Sequence, residues 1–414
     1  MKPRYYSLDV FRGATVCLMI LVNNPGSSHV YAPLDHAPWH GLTPTDLVFP
    51  FFLFAVGNAL SFVMPRLQAG GDGMFWRKVI IRTLLIYGIG LFLTWYPFVK
   101  WSDGHLVGKP WFYFDEKIDA NGIHVLIPQG VRILGVLARI AICYFFASII
   151  IYYLKPRMAF FVGLLMLLLY WALCFSLGNP TDPYSMTGFF GNSVDKSVLG
   201  VAHMYKGEGI PFDPEGIMST MSAIVEVIFG YLVGDYIQKK SKMPENLTDP
   251  TAAKNFGPYQ MLTGLFVAGV AMMVTGWCWD MVFPINKKIW TSSYTVYTSG
   301  LATITIATMI YLMEIRNARG WLSRFFDVFG KNALFVFALS ALIPKTLWLI
   351  RIPDCVNAAG NQIYTDPWRG YYKYVCAKIP GDPRIGSLAF AISFILLMWA
   401  ICWWMDKKKI YVKV

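Results

Sequence analysis

Charge is what this sequence has least of. Only 14% of its 414 residues are Asp, Glu, Lys or Arg, while 56% are hydrophobic and mean hydropathy is +0.47. Soluble domains carry roughly a quarter charged residues. A soluble enzyme is therefore excluded, and a polytopic membrane protein is expected. A secretory leader of the usual layout is missing too: the first apolar segment has no small-residue cleavage site and begins with the polar LDVFRG, so the first helix is expected to stay. No internal repeat and no soluble domain stand out. The seven cysteines are scattered. Cys17, Cys143, Cys174, Cys278 and Cys402 fall in apolar runs, where small polarizable side chains pack well. Cys355 and Cys376 share one predicted outer loop, where two thiols either stay reduced or form a disulfide in an oxidising compartment. The net charge of +12 does not call for nucleic acid, because basic residues of membrane proteins crowd the cytoplasmic loops.

What is present is a series of apolar runs. A crossing needs about 20 apolar residues, and runs of that length lie near 8–27, 43–64, 78–98, 131–153, 159–177, 216–236, 259–282, 292–314, 327–350 and 385–405. The fold class expected is an all-α polytopic bundle of about ten spans with outer cap loops. A single transmembrane domain is expected over 1–414, with helices 1–6 in about 1–237, a linker at about 238–258 and helices 7–10 in about 259–414. An even count puts both termini on one side. That side collects Lys2, Arg4, Arg66, Arg77, Lys78, Lys155, Arg157, Lys239, Lys240, Lys242, Arg316, Arg319, Arg324 and Lys407 to Lys409, so both termini are expected in the cytoplasm. The opposite loops, near 28–42, 99–130, 178–215, 283–291 and 351–384, hold all six histidines. Loops of that length usually carry function or pack as caps.

Ionisable groups at the edge of hydrocarbon are costly and draw attention as candidate sites. The densest group is HAPWHGLTPTD, with His36, His40 and Asp46 at the mouth of an apolar run through Phe49, Phe51, Phe52 and Phe54. A lone Asp at a helix start complements the helix dipole. A histidine near it can be oriented by the carboxylate for general base catalysis. Spacing leaves open which of His36 and His40 makes that pair. Metal binding by the two histidines is the rival reading, and no clear third ligand accompanies them. Upstream, Asp9 and Arg12 are three apart on one helix face and can pair, or Arg12 can meet a phosphate. Asn23, Asn24 and Pro25 interrupt the first run, which is tolerated where a helix lines a cavity or packs on protein. Arg139 lies inside a span, with Arg132 at its outer end, and must pair or meet an anion. Asp213 and Glu215 stand directly before a helix, as caps or as groups for an ammonium or a sugar hydroxyl. Glu226 lies within that helix, where a charge without a partner is not expected. Asn286, Lys287 and Lys288 stand beside Trp290, either as snorkelling anchors or as phosphate contacts.

These motifs, taken in order, resemble the heparan-α-glucosaminide N-acetyltransferase family and its bacterial relatives among the transmembrane acyltransferases. The resemblance runs through SLDVFRG, Val22-Asn23, HAPWHGLTPTDLVFPFFLFAVG, GVLARI, FDPEGIMST, PINKKIWTSSY and GKNALFVF. It implies transfer of an acetyl group from cytoplasmic acetyl-CoA to the amine of a hexosamine or amino-sugar glycan on the periplasmic side. The site residues it implies are His36 as catalytic base or acetyl carrier, with Asn23 beside it and Asp46 in support. Arg12, Arg139 and Lys287 are implied for the CoA; the reading of the residues adds Asn286 to them and expects Trp39, His40, Asp213 and Glu215 at the acceptor. No metal is expected. A homodimer in a bacterial inner membrane is implied as well. Two places depart from the family: Ala138 stands where it has glutamine, and Ser340-Ala341 where the animal enzyme has His-Glu. The alternatives are O-acetylation of a periplasmic glycan, or a transporter or flippase on the same scaffold, since a buried arginine and a Pro-broken helix also suit a substrate path.

Overall fold

A computed structural model describes residues 5–102, 104–118, 124–240, 250–356, 360 and 362–412. The basic residues Lys2, Arg4 and Lys242, and 241–249 of the expected linker, lie outside the described residues. The helices are α1 (Tyr6–Asn23), α2 (Val48–Ala69), α3 (Gly71–Trp95), α4 (Val136–Tyr153), α5 (Pro156–Leu177), the short α6 (Phe190–Leu199), α7 (Ile217–Lys240), α8 (Pro250–Asp280), α9 (Ser292–Ile310), α10 (Trp321–Lys331), α11 (Ala333–Leu347), α12 (Pro367–Tyr374) and α13 (Pro383–Lys407); the expected apolar runs all fall in them, while α6 and α12 lie in stretches expected as outer loops. Among the described residues nine helices are long and apolar enough to cross a membrane, and the pair α10 and α11 makes a tenth if counted as one span. The chain is a polytopic helical membrane protein.

Three expectations change in detail. The ninth run is not one straight helix, because α10 and α11 meet at an 81° bend. Asn332 makes the break, with its Nδ2 donating to Ile410 O (3.1 Å) and its Oδ1 accepting from Val412 N (2.9 Å), so its side chain bonds the C-terminal segment. The Asn-Asn-Pro triplet ends α1 instead of breaking it: Asn24 closes the helix by donating to Ile20 O (2.9 Å). The long connections are partly ordered as antiparallel ribbons, β1 (Val99–Ser102) with β2 (His105–Gly108), β3 (Phe112–Ile118) with β4 (His124–Gly130), and β5 (Ile352–Val356) with β6 (Gln362–Thr365). Cys355 and Cys376, the candidate disulfide, are both free.

The helices pack as two units. The first holds residues 1–37, 43–49 and 318–413, and so contains α1 and α10 to α13. The second holds 38–42 and 50–317, with nearly all of α2 and α3 to α9. In the first, α1 lies against α10 so closely that a Cβ on Gly13 would stand 1.8 Å from Phe326 O. Small residues let membrane helices approach where lipid gives no hydrophobic drive between them. In the second, Gly57 and Gly230 do the same for α2 and α7.

The second unit is also joined through polar contacts. Ser222 of α7 meets Thr295 of α9 at 2.8 Å, and the fully buried Glu226 accepts from Thr298 (3.2 Å) and Ser299 (2.9 Å). The charge that spacing left without a partner thus sits among the hydroxyls of α9, which run along one face at Thr295, Thr298 and Ser299.

Candidate functional site

Asp46 is placed by its own segment. Thr43-Pro44-Thr45-Asp46 forms a capping box ahead of α2, with Thr43 N donating to Asp46 Oδ2 (3.1 Å), and Pro44 starting the turn. The same oxygen accepts from Ala37 N (3.0 Å), so the carboxylate draws the preceding loop over the helix start. That brings His36 to it: His36 Nδ1 lies 2.6 Å from Asp46 Oδ1. The two side chains differ in access, 2% exposed for Asp46 and 46% for His36. A buried carboxylate fed by backbone donors remains an acceptor, and its pairing with Nδ1 leaves Nε2 as the proton-accepting atom of the neutral ring. The pairing that spacing left open is therefore His36 with Asp46.

Asn23 is the exposed last residue of α1, at the start of the loop that leads to His36. Among the described residues no hydrogen bond joins Asn23 to His36. Arg12, in the second turn of α1, pairs with Asp9 (2.9 Å) and donates through Nε to Gly330 O (2.8 Å), tying α1 to α10.

Within the second unit, Pro38–Leu42 is pinned at four points. Trp39 Nε1 donates to Tyr184 O (2.9 Å), Lys288 Nζ to Pro38 O (3.0 Å), and Gly41 N to Ile285 O (2.8 Å). His40 Nδ1 lies 3.4 Å from Asn286 Nδ2. Burial lowers the His40 imidazole below its usual range, against the pull of Asp182 and Asp280. Lys288 also pairs with Glu208 (2.5 Å) and sits over the Trp39 ring (5.8 Å). Asn286 shapes its own turn, its Oδ1 accepting from Ile289 N (3.1 Å) and its backbone N donating to Thr291 Oγ1 (3.0 Å).

Asp213 and Glu215 are both engaged by Arg132. Arg132 Nε donates to Asp213 Oδ2 (3.1 Å), its Nη2 reaches Asp213 Oδ1 (2.5 Å), and a further bond goes to Glu215. Burial raises the Asp213 carboxyl more than Arg132 lowers it. Burial also pushes on Glu215, but the field of Arg132, Arg139 and Lys287 outweighs it and holds that carboxyl low. Arg139 is fully buried in the first turn of α4. It bonds Gly216 O (3.1 Å) and Ser219, and lies over the Trp290 ring (5.1 Å). Its Nε and Nη1 have no hydrogen-bond partner among the described residues. Lys287 acts on the field at Glu215. The acceptor-binding expectation for Asp213 and Glu215 thus meets two carboxylates already paired with a cation 81 and 83 positions upstream, a separation that sequence spacing does not signal.

Asp195 belongs to the same cluster and was not singled out by the sequence. It is 1% exposed and caps α7, accepting from Ile217 N at 2.8 Å. Burial raises its carboxyl to about 6 against that bond, with Asp213 adding. A raised carboxyl binds its proton more tightly folded than unfolded, so its stabilising protonation is lost as pH climbs from about 4 to about 6. Asp195→Asn is expected to unfold at a higher temperature than the parent at pH 7.5, with the gap narrowing at pH 4.5. Melting curves at the two values check this, and a gap independent of pH contradicts it.

No family model matches the chain. Two proteins are similar to it: heparan-alpha-glucosaminide N-acetyltransferase of Homo sapiens and the protein of the same name from Mus musculus. Each is 24% identical over 384 residues, covering 81% of this chain. The chain is their distant relative. It spans about half of their length, 52% of the human and 53% of the mouse protein. The heparan-alpha-glucosaminide N-acetyltransferases are thus the relatives that the ordered motifs point to. The His36–Asp46 pair lies in the longest of the blocks on which the resemblance rests.

Proposed function

We propose that the chain is a transmembrane acetyltransferase that moves an acetyl group from cytoplasmic acetyl-CoA to the amine of a hexosamine or amino-sugar glycan on the outer side of a bacterial inner membrane, working as a homodimer. The observation that carries this reading is the 2.6 Å contact between His36 and the buried Asp46. A distant likeness to N-acetyltransferases supports the chemistry. The spread of Lys and Arg along the chain supports termini in the cytoplasm and a His36 loop facing outward.

In this reading Asp46 fixes the imidazole with its proton on Nδ1. Nε2 takes the proton released from the acceptor amine while the nitrogen attacks the thioester carbon, and CoA leaves as the thiolate. In the two-step form Nε2 itself attacks, carries the acetyl group, and is released by the amine. Asn23 or a backbone N–H stabilises the oxyanion. Trp39 and His40, held by Tyr184, Lys288 and Asn286, line the acceptor side. Arg12, Arg139, Asn286 and Lys287 are assigned to the CoA, as contacts to its phosphates or as lining of the path its acetyl group takes; Arg139 and Lys287 both lie close enough to Glu215 to act on its carboxyl.

The test is labelled acetyl-CoA incubated with a panel of amino sugars and glycans. The reading predicts N-acetylation of an amino sugar. Transfer to hydroxyls alone would make this an O-acetyltransferase, and a protein that neither binds nor turns over acetyl-CoA would overturn the assignment.

A further inference from the structure

His40 is exposed, lies four residues after His36 in the chain, and belongs with its surroundings to the second unit. The amide that faces it has a fixed orientation. Asn286 is fully buried and its Oδ1 accepts from Ile289 N (3.1 Å), so the group directed at His40 Nδ1 is the Nδ2 amine, at 3.4 Å. An amide NH2 only donates. Nδ1 of His40 is therefore the acceptor, and the proton of the neutral ring sits on Nε2. Burial keeps that ring neutral against the pull of Asp182 and Asp280. This is the reverse of His36, whose Nδ1 faces a carboxylate and whose Nε2 is left to accept. His36 presents a lone pair; His40 presents an N–H.

That N–H has company of a defined chemistry. Trp39, next to it in the chain, is held by its Nε1 bond to Tyr184 O (2.9 Å) and by the Phe212 ring, edge-on at 5.4 Å and 66°. Each of the two backbone anchors of this segment also carries a carboxylate. Tyr184 N donates to Asp182 Oδ1 (3.2 Å), and Ile285, whose carbonyl holds Gly41 N, donates its own N–H to Asp280 Oδ1 (2.5 Å). Both carboxylates are near enough to act on the His40 ring. Among the described residues neither is in an ion pair, and Lys288, the lysine of this region, is taken by Glu208 (2.5 Å) and Pro38 O. An indole, an N–H donor and two carboxylates without a cation match a sugar ring with a hydroxyl and an ammonium. A neutral sugar would leave the carboxylates uncompensated. Asp213 and Glu215, expected for this role, are already paired with Arg132.

We propose that His40 is a specificity-determining residue for the acceptor, its Nε2–H donating to a hydroxyl of the amino sugar while Asp182 and Asp280 hold the ammonium. His40 carries no proton in the reaction. The proposal rests on the acetyltransferase reading for the word acceptor, while the subsite itself rests on the orientation of Asn286 and on the two anchored carboxylates.

The experiment measures binding of glucosamine and of glucose to the full-length protein in nanodiscs, without CoA, by ligand-observed NMR. Glucosamine is expected to bind about tenfold more tightly than glucose, the scale of one contact to a charged group. Asp182→Asn combined with Asp280→Asn should remove that preference. His40→Ala should weaken both sugars, and His40→Gln, whose NH2 can reach the place of Nε2, should recover the loss. In acetyl transfer to glucosamine, the double Asp variant and His40→Ala should raise KM about tenfold, with the loss in KM and not in kcat. Equal binding of the two sugars by the parent, or none of either, overturns the subsite. A kcat that collapses in both His40→Ala and His40→Gln makes His40 a proton carrier and overturns its assignment as a donor. Preferential binding of glucosamine without any transfer overturns the acetyltransferase reading and leaves the subsite standing.

Discussion

Asp46→Asn is expected to cut acetyl transfer by on the order of 10³ to 10⁴ while the protein still folds, the scale seen when the carboxylate behind a catalytic histidine becomes an amide. The amide presents one acceptor in place of two. Its oxygen can keep the backbone bonds from Ala37 and Thr43, which hold the loop on the start of α2. Its NH2 would then face His36 Nδ1 and demand a lone pair there, which puts the ring proton on Nε2, the atom that has to accept one. Folding and chemistry therefore separate in this variant. Asp46→Ala loses the cap as well, and its lower melting temperature would report the loop, at about 1 kcal/mol for the lost cap. Single-turnover assays on the two variants, beside their melting curves, check the split. An Asp46→Asn protein with near-parental turnover would mean that the His36 contact has no part in catalysis.

The largest loss of stability is expected at Arg132. Its guanidinium serves Asp213 and Glu215 together, and Asp213 has no side-chain exposure at all. Removing one partner of a buried ion pair costs about 3–5 kcal/mol, because a buried charge is left uncompensated. Arg132→Ala should therefore melt well below the parent in the same detergent. Arg132→Met combined with Asp213→Asn and Glu215→Gln removes the charges together and should recover most of the loss. If Arg132→Ala melts with the parent, the triad is not holding the start of α7 in place.

How much of this was legible beforehand depends on how far apart the partners are in sequence. The Asp9–Arg12 pair, the helix start at Thr43–Asp46 and nearly all the membrane spans follow from spacings of three or four and from apolar runs of about 20 residues. The bend at Asn332 was hidden because apolar residues continue on both sides of it. The end of α1 was hidden because Asn24 and Pro25 read equally well as a break inside a longer helix. The Arg132 triad joins residues 81 and 83 positions apart, and no periodicity reports contacts of that range. Asp195 looked like an ordinary polar position in a loop, and only its burial against the start of α7 makes it a titrating group. His36 itself was readable as a candidate. That Asp46 pairs with it, and not with His40, needed the fold of the loop.

The most direct test of the central claim is transfer across a sealed membrane. Proteoliposomes would carry labelled acetyl-CoA on the face where the termini lie, and glucosamine on the other. The account predicts labelled N-acetyl sugar in the second compartment for the parent and none above background for His36→Ala. Acetyl-CoA that is never consumed, or a His36→Ala protein that transfers as well as the parent, would contradict it.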